Sequence, residues 1–207
     1  MIMNNSLSNH KLNFCQTIVW IKIMAIKKTS REEILKESIK LFKVRGYSNT
    51  SMANIAEACG LIKGSIYHHF KSKDEIGLES LKYIHNYFVE HIFSIAFRSD
   101  LSDREKIELI VKKTDDYFLH SEGGCLLGNL ALEASSLNLD FKEEIKAYFT
   151  AWENALIKIF ENKYPKIEAS NLAKEYVALT QGAIMMMNLY DSSDNYLKVG
   201  EKIISLI

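Results

Sequence analysis

One proline, Pro165, occurs in 207 residues, and the three cysteines, Cys15, Cys59 and Cys125, are widely spaced with no C-x-x-C pair. That number and spacing exclude a disulfide framework and a zinc ribbon, and they fit a reducing, cytoplasmic compartment. No stretch reaches the roughly 18 apolar residues that a membrane span requires. The best, Phe14 to Ile26, is broken by Gln16, Thr17 and Lys22 and has no small-residue cleavage site after it. The sequence lacks a nucleophile elbow, a Walker loop, a metal-ligand cluster and a carboxylate pair in a recognisable setting, which argues against an enzyme and against a metal or cofactor. Repeats and low-complexity tracts are missing as well. Net charge is zero, with 26 basic and 26 acidic residues, which at first argues against a nucleic-acid partner.

The zero conceals an asymmetry. Residues 24–73 carry ten Lys/Arg against four Asp/Glu, a net +6, whereas residues 74–207 carry 14 against 22, a net −8. A basic first third on an acidic remainder is what a nucleic-acid-reading module on a different body looks like. Residues 1–23 are expected to be an extension without a fold role, with Met24 as the natural start. The remainder then divides into a reading domain, 24–73, and a body, 74–207.

Helix-start signals recur along the chain. Ser30-x-x-Glu33, Ser72-x-x-Glu75, Ser102-x-x-Glu105 and Asp140-x-x-Glu143 each place a capping oxygen three residues before a carboxylate. Each satisfies two otherwise unpaired N–H groups and sets negative charge at the positive end of the helix dipole. Apolar residues follow at helical spacing: Ile34, Leu35, Leu41 and Phe42; Ile76, Leu81, Ile84, Phe88, Ile92 and Ile95; Ile107, Ile110 and Phe118; Ile145, Phe149, Trp152, Leu156 and Ile159. Further helices are expected from about Ser170 to Tyr190 and from about Asp194. Nothing alternates with period two, so the class is all-α.

Between Gly46 and Ser72 the elements shorten. Thr50 is placed to cap a helix that carries Ile55, Ala56 and Cys59 inward, and Gly60 sits where a tight turn needs a left-handed backbone. A second helix is expected from Lys63 to Phe70, anchored by Ile66 and Phe70. Two short helices joined through glycine make a helix-turn-helix, whose second helix enters the major groove of DNA. Lys63, Gly64, Ser65, Tyr67 and His68 would then face the DNA, with Lys73 beside the N–H groups of the next helix, a combination suited to phosphate. His68 and His69, adjacent on a helix, point about 100° apart and cannot share one metal ion there.

The segment Arg31 to Leu81 resembles the DNA-binding domain of the TetR family of bacterial regulators. The resemblance rests on Ile34-Leu35, Leu41-Phe42, Gly46-Tyr47, Thr50-Ser51, Ile55-Ala56, Gly60, Gly64, Tyr67, His69-Phe70 and Lys73. It implies that Thr50, Tyr67 and Lys73 hold phosphates, that Lys63, Ser65 and His68 face the groove beside Ser51, and that His69 packs. It also implies a body that dimerises and encloses an effector.

Small residues fit the first of those roles. Ala147, Ala151 and Ala155 recur every four residues, and Ala178 and Gly182 mark the helix after them; together they form the expected dimer strip, the alternative being that both helices simply fill their own core. A two-fold dimer implies a near-palindromic operator in double-stranded DNA. The segment from Gly123 through Cys125 and Asn129 to Glu133 is similar to one branch of the family, in some of whose members the cysteine is a reactive thiol. Tyr87, His91, Tyr117, His120, Cys125 and Asn129 are the expected effector residues, with buried, inert cysteine as the commoner alternative. Met185-Met186-Met187 is expected to be core rather than an adaptable pocket wall. The function expected is a ligand-responsive regulator, most simply a repressor; its rivals are a helical enzyme and a DNA-binding protein without effector.

Overall fold

Nine helices and one 3-10 segment make up the described residues, 29–133 and 139–207 of a computed structural model. They are α1 (Arg31–Arg45), α2 (Met52–Ala58), α3 (Lys63–Ile66), α4 (Lys73–His91), the 3-10 segment (Phe93–Phe97), α5 (Asp103–Leu119), α6 (Leu126–Leu132), α7 (Leu139–Phe160), α8 (Lys166–Tyr190) and α9 (Asp194–Ile204). There is no strand among the described residues, and the fold is all-α. The expectation for residues 1–23 lies outside them. Residues 31–207 form one compact unit, which holds both the reading element and the body.

The caps only partly follow the sequence signals. At Ser102 the box is complete: the Glu105 N–H donates to the Ser102 hydroxyl at 3.3 Å, and the Ser102 N–H donates to the Glu105 carboxylate at 2.8 Å. At Ser72 it is half made. The hydroxyl accepts from the Glu75 N–H at 3.1 Å, but the Glu75 carboxylate is drawn off by Arg31, at 2.8 Å, and by the Lys71 N–H, at 2.7 Å. Asp140 is no cap, because α7 already begins at Leu139, and Glu143 pairs with Lys146. The helix expected to run on to Ile95 ends instead at His91. At Ile92 the backbone leaves the helical region, with φ −123° and ψ −59°, and the chain goes on as the 3-10 segment.

In the body, α7 lies against α8, and α9 covers α8 and α5. The core is aromatic. Phe88 on α4 has ring centroids 4.8 Å from Tyr117, 5.4 Å from Tyr148 and 5.6 Å from Phe93, and Phe93 stacks on Trp152 at 5.8 Å. The inward seam of α7 is Ile145, Tyr148, Trp152, Leu156 and Ile159, with Phe149 only half-buried. Met185 and Met186, expected in the core, are 53% and 40% exposed. No helix among the described residues is long and apolar enough to cross a membrane.

Candidate nucleic-acid interface

The reading element begins where α1 stops. Gly46 adopts φ +83°, a left-handed value that glycine takes without strain, and turns the chain toward Tyr47 and Thr50. Thr50, expected as cap and phosphate ligand, faces inward: it is 1% exposed, and its hydroxyl donates to the Gly46 carbonyl at 2.8 Å. The cap of α2 is Ser51, one residue on. It is exposed, accepts from the Asn54 N–H at 3.2 Å, and its own N–H donates to the Asn54 side chain at 3.0 Å. An asparagine here performs the return bond of a capping box, a variant that a search for Glu or Gln misses.

Beyond α2, Ile55 and Ala56 point inward and Gly60 makes the turn with φ +67°. The recognition helix is shorter than its expected span of 63–70. Four residues, Lys63–Ile66, are α-helical, and the chain then tightens, the His69 N–H donating to the Ile66 carbonyl at 2.9 Å in an i→i+3 bond. Ile66 and Phe70 are fully buried and fix its orientation. Lys63, Gly64, Tyr67 and His68 lie exposed on the other side, with Ser65 and His69 half-buried. A Cβ built on Gly64 would meet nothing within 4 Å among the described residues, so the chain's own packing does not require glycine there.

Arg31, the Lys73–Tyr47 contact and Glu133 hold this element, each through a partner distant in sequence. Arg31 lies over the Phe70 ring, 3.9 Å from its centroid, and donates to the His69 carbonyl, Glu75 and Glu79. The guanidinium and the Lys71 N–H keep the Glu75 carboxyl below its usual range. Lys73 donates its ammonium to the Tyr47 carbonyl at 3.1 Å and sits 4.3 Å from that ring's centroid, leaving further N–H donors. The Tyr47 hydroxyl donates to Asp74, and burial, then Asp74, raises its pKa well above that of a free phenol. Room for the Tyr47 and Phe141 rings comes from Gly77, where a Cβ would lie 2.7 and 2.6 Å from their atoms.

Glu133, at the end of α6, is the third holding group. Its carboxylate accepts from the Tyr47 N–H and the Ser48 N–H, both at 3.3 Å, and from the Ser48 hydroxyl. The body thereby grips the loop that leads into α2. No local pattern announces Arg31, Tyr47 or Glu133 as positioning groups, because their partners lie 26–86 residues away.

Residues 34–79 match the tetR family of bacterial regulatory proteins, and residues 104–202 match the C-terminal domain of LmrA/YxaF-like transcriptional regulators. The chain belongs to the TetR family. It is 29% identical over 188 residues to the HTH-type transcriptional regulator YxaF of Bacillus subtilis (strain 168), an alignment covering 89% of this chain and 98% of that one. The HTH-type transcriptional repressor DhaR of Mycobacterium sp. (strain GP1) is 28% identical over 171 residues, 77% of this chain and 82% of its own. The crystal structure of a TetR transcriptional regulator from Legionella pneumophila aligns with a TM-score of 0.79 at 25% identity, over 88% of this chain and 100% of that one. This TetR-family protein is a DNA-binding transcriptional regulator and not an enzyme.

The regulator's body brings some of the expected effector residues together. Tyr87 lies 5.0 Å from His91 and 5.8 Å from Tyr117 between ring centroids. The Lys43 ammonium lies 5.4 Å from the centroid of the Tyr117 ring. Lys43 is almost wholly buried; its ammonium donates to the Ser121 hydroxyl at 2.9 Å, and burial lowers its pKa. His120, by contrast, is exposed at the end of α5, its Nδ1 2.9 Å from the Asp116 carbonyl. Cys125 caps α6, its sulfur accepting from the Gly128 N–H at 3.4 Å, and Asn129 donates to the Gly123 carbonyl at 2.8 Å. The thiol is 3% exposed and burial pushes its pKa up, the opposite of what a reactive thiolate requires. None of these six residues lines the cavity of about 30 Å³ enclosed by α5, α7, α8 and α9.

The expected dimer residues divide. Ala147 and Ala178 are exposed, Ala151 and Gly182 half-buried, but Ala155 is 0% exposed in the chain's own core. On α8 an apolar stripe continues from Ala178 through Leu179, Gly182, Met186 and Leu189, with Met185 and Tyr190 beside it. Among the described residues, no group of three or more His, Cys, Asp or Glu is placed to hold a metal ion.

Proposed function

We propose that this TetR-family regulator is a repressor that covers a near-palindromic operator as a homodimer and is released by a small-molecule effector. The observation that carries the DNA contact is the arrangement of Lys63, Gly64, Ser65, Tyr67 and His68 on the open side of an element anchored by Ile66 and Phe70. Ser51 and Lys73 complete the phosphate set, and Thr50 acts behind them by tying the loop to Gly46. In this reading the functional boundary falls at Lys73, with residues 74–207 setting the spacing of two reading heads. The exposed stripe on α8, with Ala147 and Ala151 on α7, is the proposed dimer face. Repression is favoured over activation because DhaR, a relative over most of its length, bears the name of a repressor.

Release requires an effector that binds two states of the body with different affinity. The route from body to head runs through α6, whose entry turn at Gly123 and Gly124 lies against Lys43 and α8 and whose end holds the Tyr47–Ser48 loop through Glu133. A duplex selected by the protein from a random pool gives the test. Hydroxyl-radical footprinting should find two protected half-sites centred about 34–36 Å apart or at a multiple of that spacing, and sedimentation of the complex should find two chains per duplex. One chain on one half-site would remove the dimer from the proposal. A promoter fusion that is silenced by the protein, rather than induced, decides for repression.

A further inference from the structure

The cavity between α5, α7, α8 and α9 is used neither by the DNA contact nor by the expected effector residues. At about 30 Å³ it has room for about two waters or one small head group, and it is partly open to solvent. Ile110, Val111, Trp152 and Ile203 give it apolar walls; Asp115 and Tyr196 are its conspicuous polar groups. The Tyr196 side chain is 3% exposed, and its hydroxyl has no hydrogen-bond partner of good geometry among the described residues, although it interacts with Asp115. Asp115 is half-buried on α5 and joins no ion pair among the described residues; burial holds its carboxyl above the usual range, against the lowering pull of the Tyr196 hydroxyl and with Asp116 as a like charge beside it.

The other polar side chains on the wall point to the same chemistry. Thr114 and Thr180 donate their hydroxyls to the Ile110 and Tyr176 carbonyls of their own helices, each at 2.7 Å, so toward the cavity they can only accept. Apart from the Tyr196 O–H, which faces Asp115, the lining therefore offers acceptors and one negative charge, and it includes no Lys, Arg or His. Buried groups of this kind are costly until a donor arrives.

We infer that this cavity takes the ammonium head of a small primary amine, with Asp115 as counter-ion, Tyr196 Oη as a second acceptor, and the apolar tail against Val111 and Ile203. An ammonium has three donors and no acceptor, which matches the lining; a carboxylate would meet Asp115 with like charge, and an alcohol would offer one donor and no charge. That such an amine is also the effector rests on the regulatory function proposed for the chain; the binding itself does not.

Trp152 lines the cavity and reports on it. In a Trp20→Phe background, n-hexylamine, hexan-1-ol and hexanoate are titrated against Trp152 emission. The amine should bind saturably and at least about tenfold more tightly than the alcohol, the scale of a hydrogen bond to a charged group, and hexanoate should not bind. Asp115→Asn should cost the amine about tenfold or more and leave amine and alcohol alike; Tyr196→Phe should cost less. Equal wild-type affinity for amine and alcohol, or unchanged amine affinity in Asp115→Asn, overturns the site. If Asp115→Asn does not fold, the three-ligand comparison on the Asp115-bearing chain decides. Operator release is measured separately: amine binding without release refutes the amine as effector and leaves the site standing.

Discussion

Glu133 is the residue through which the body's hold on the reading head can be measured. Glu133→Gln keeps the shape and removes the charge. The native carboxylate accepts two backbone N–H groups at 3.3 Å and the Ser48 hydroxyl. The amide keeps one acceptor oxygen and sets an NH₂ against donors. Bonds to a charged group contribute roughly 1.5–3 kcal/mol, but these are long and the group is half-exposed, so the expected loss is about 1 kcal/mol. In a chain of this size that corresponds to about 2–4 °C in Tm. The loop it holds carries Tyr47, whose carbonyl positions Lys73, and leads to the Ser51 cap, so the same loss should reach the DNA as about a fivefold weaker operator complex. Ser102→Ala supplies the control. It removes a helix cap worth about 1 kcal/mol on α5, so Tm should fall equally while operator affinity holds. Calorimetry and fluorescence anisotropy on one selected duplex read both quantities. If the two variants lose the same Tm and neither changes affinity, Glu133 only stabilises the fold and the α6 route is wrong.

Gly64→Ala should leave Tm unchanged or raise it slightly, since alanine is the better helix former by about 1 kcal/mol and none of the described residues stands within 4 Å of the new methyl; operator affinity should fall, and an unchanged affinity would take Gly64 off the interface. Burial raises the pKa of Tyr47, Tyr117, Tyr148, Tyr176 and Tyr196, so their contribution to stability is complete below pH of about 10 and is lost as pH climbs above it. Ultraviolet titration should show those five phenols silent until the helical signal collapses; ionisation of all ten tyrosines near pH 10 in the folded chain would contradict it. Cys125 should resist maleimide in the native protein and react on unfolding, with half-buried Cys59 reacting earlier in a peptide-resolved time course; rapid native labelling at Cys125 would restore the reactive-thiol reading.

Most helices were legible because caps and apolar spacing act within a turn or two. Ser102 with Glu105, and the run from Ile76 to Phe88, need no distant partner to form. What escaped was decided across the fold. Glu75 looked like the return half of a box until Arg31, 44 residues earlier, claimed its carboxylate. Thr50 and Ser51 are adjacent, and sequence alone gives either a claim to the cap; the buried Gly46 carbonyl takes the threonine and decides for the serine. The effector residues were the least legible. Tyr87, His91 and Tyr117 do meet, but the cavity is lined from four helices by residues whose spacing reads as ordinary core.

Two glycines say more about the external surfaces than exposure does. A mid-helix glycine costs about 1 kcal/mol relative to alanine, so it calls for a reason. At Gly77 and Gly128 the reason is internal, since a Cβ would lie 2.6 Å from Phe141 and 2.5 Å from Gln181 respectively. Gly64 and Gly182 have none: both lie in helices, neither has a positive φ, and nothing among the described residues approaches within 4 Å of either Cβ position. Gly64 sits on the face assigned to DNA, and Gly182 in the centre of the apolar stripe on α8. In the proposed complex a phosphate backbone at Gly64 and the partner's helix at Gly182 would supply the close approach that no described residue makes.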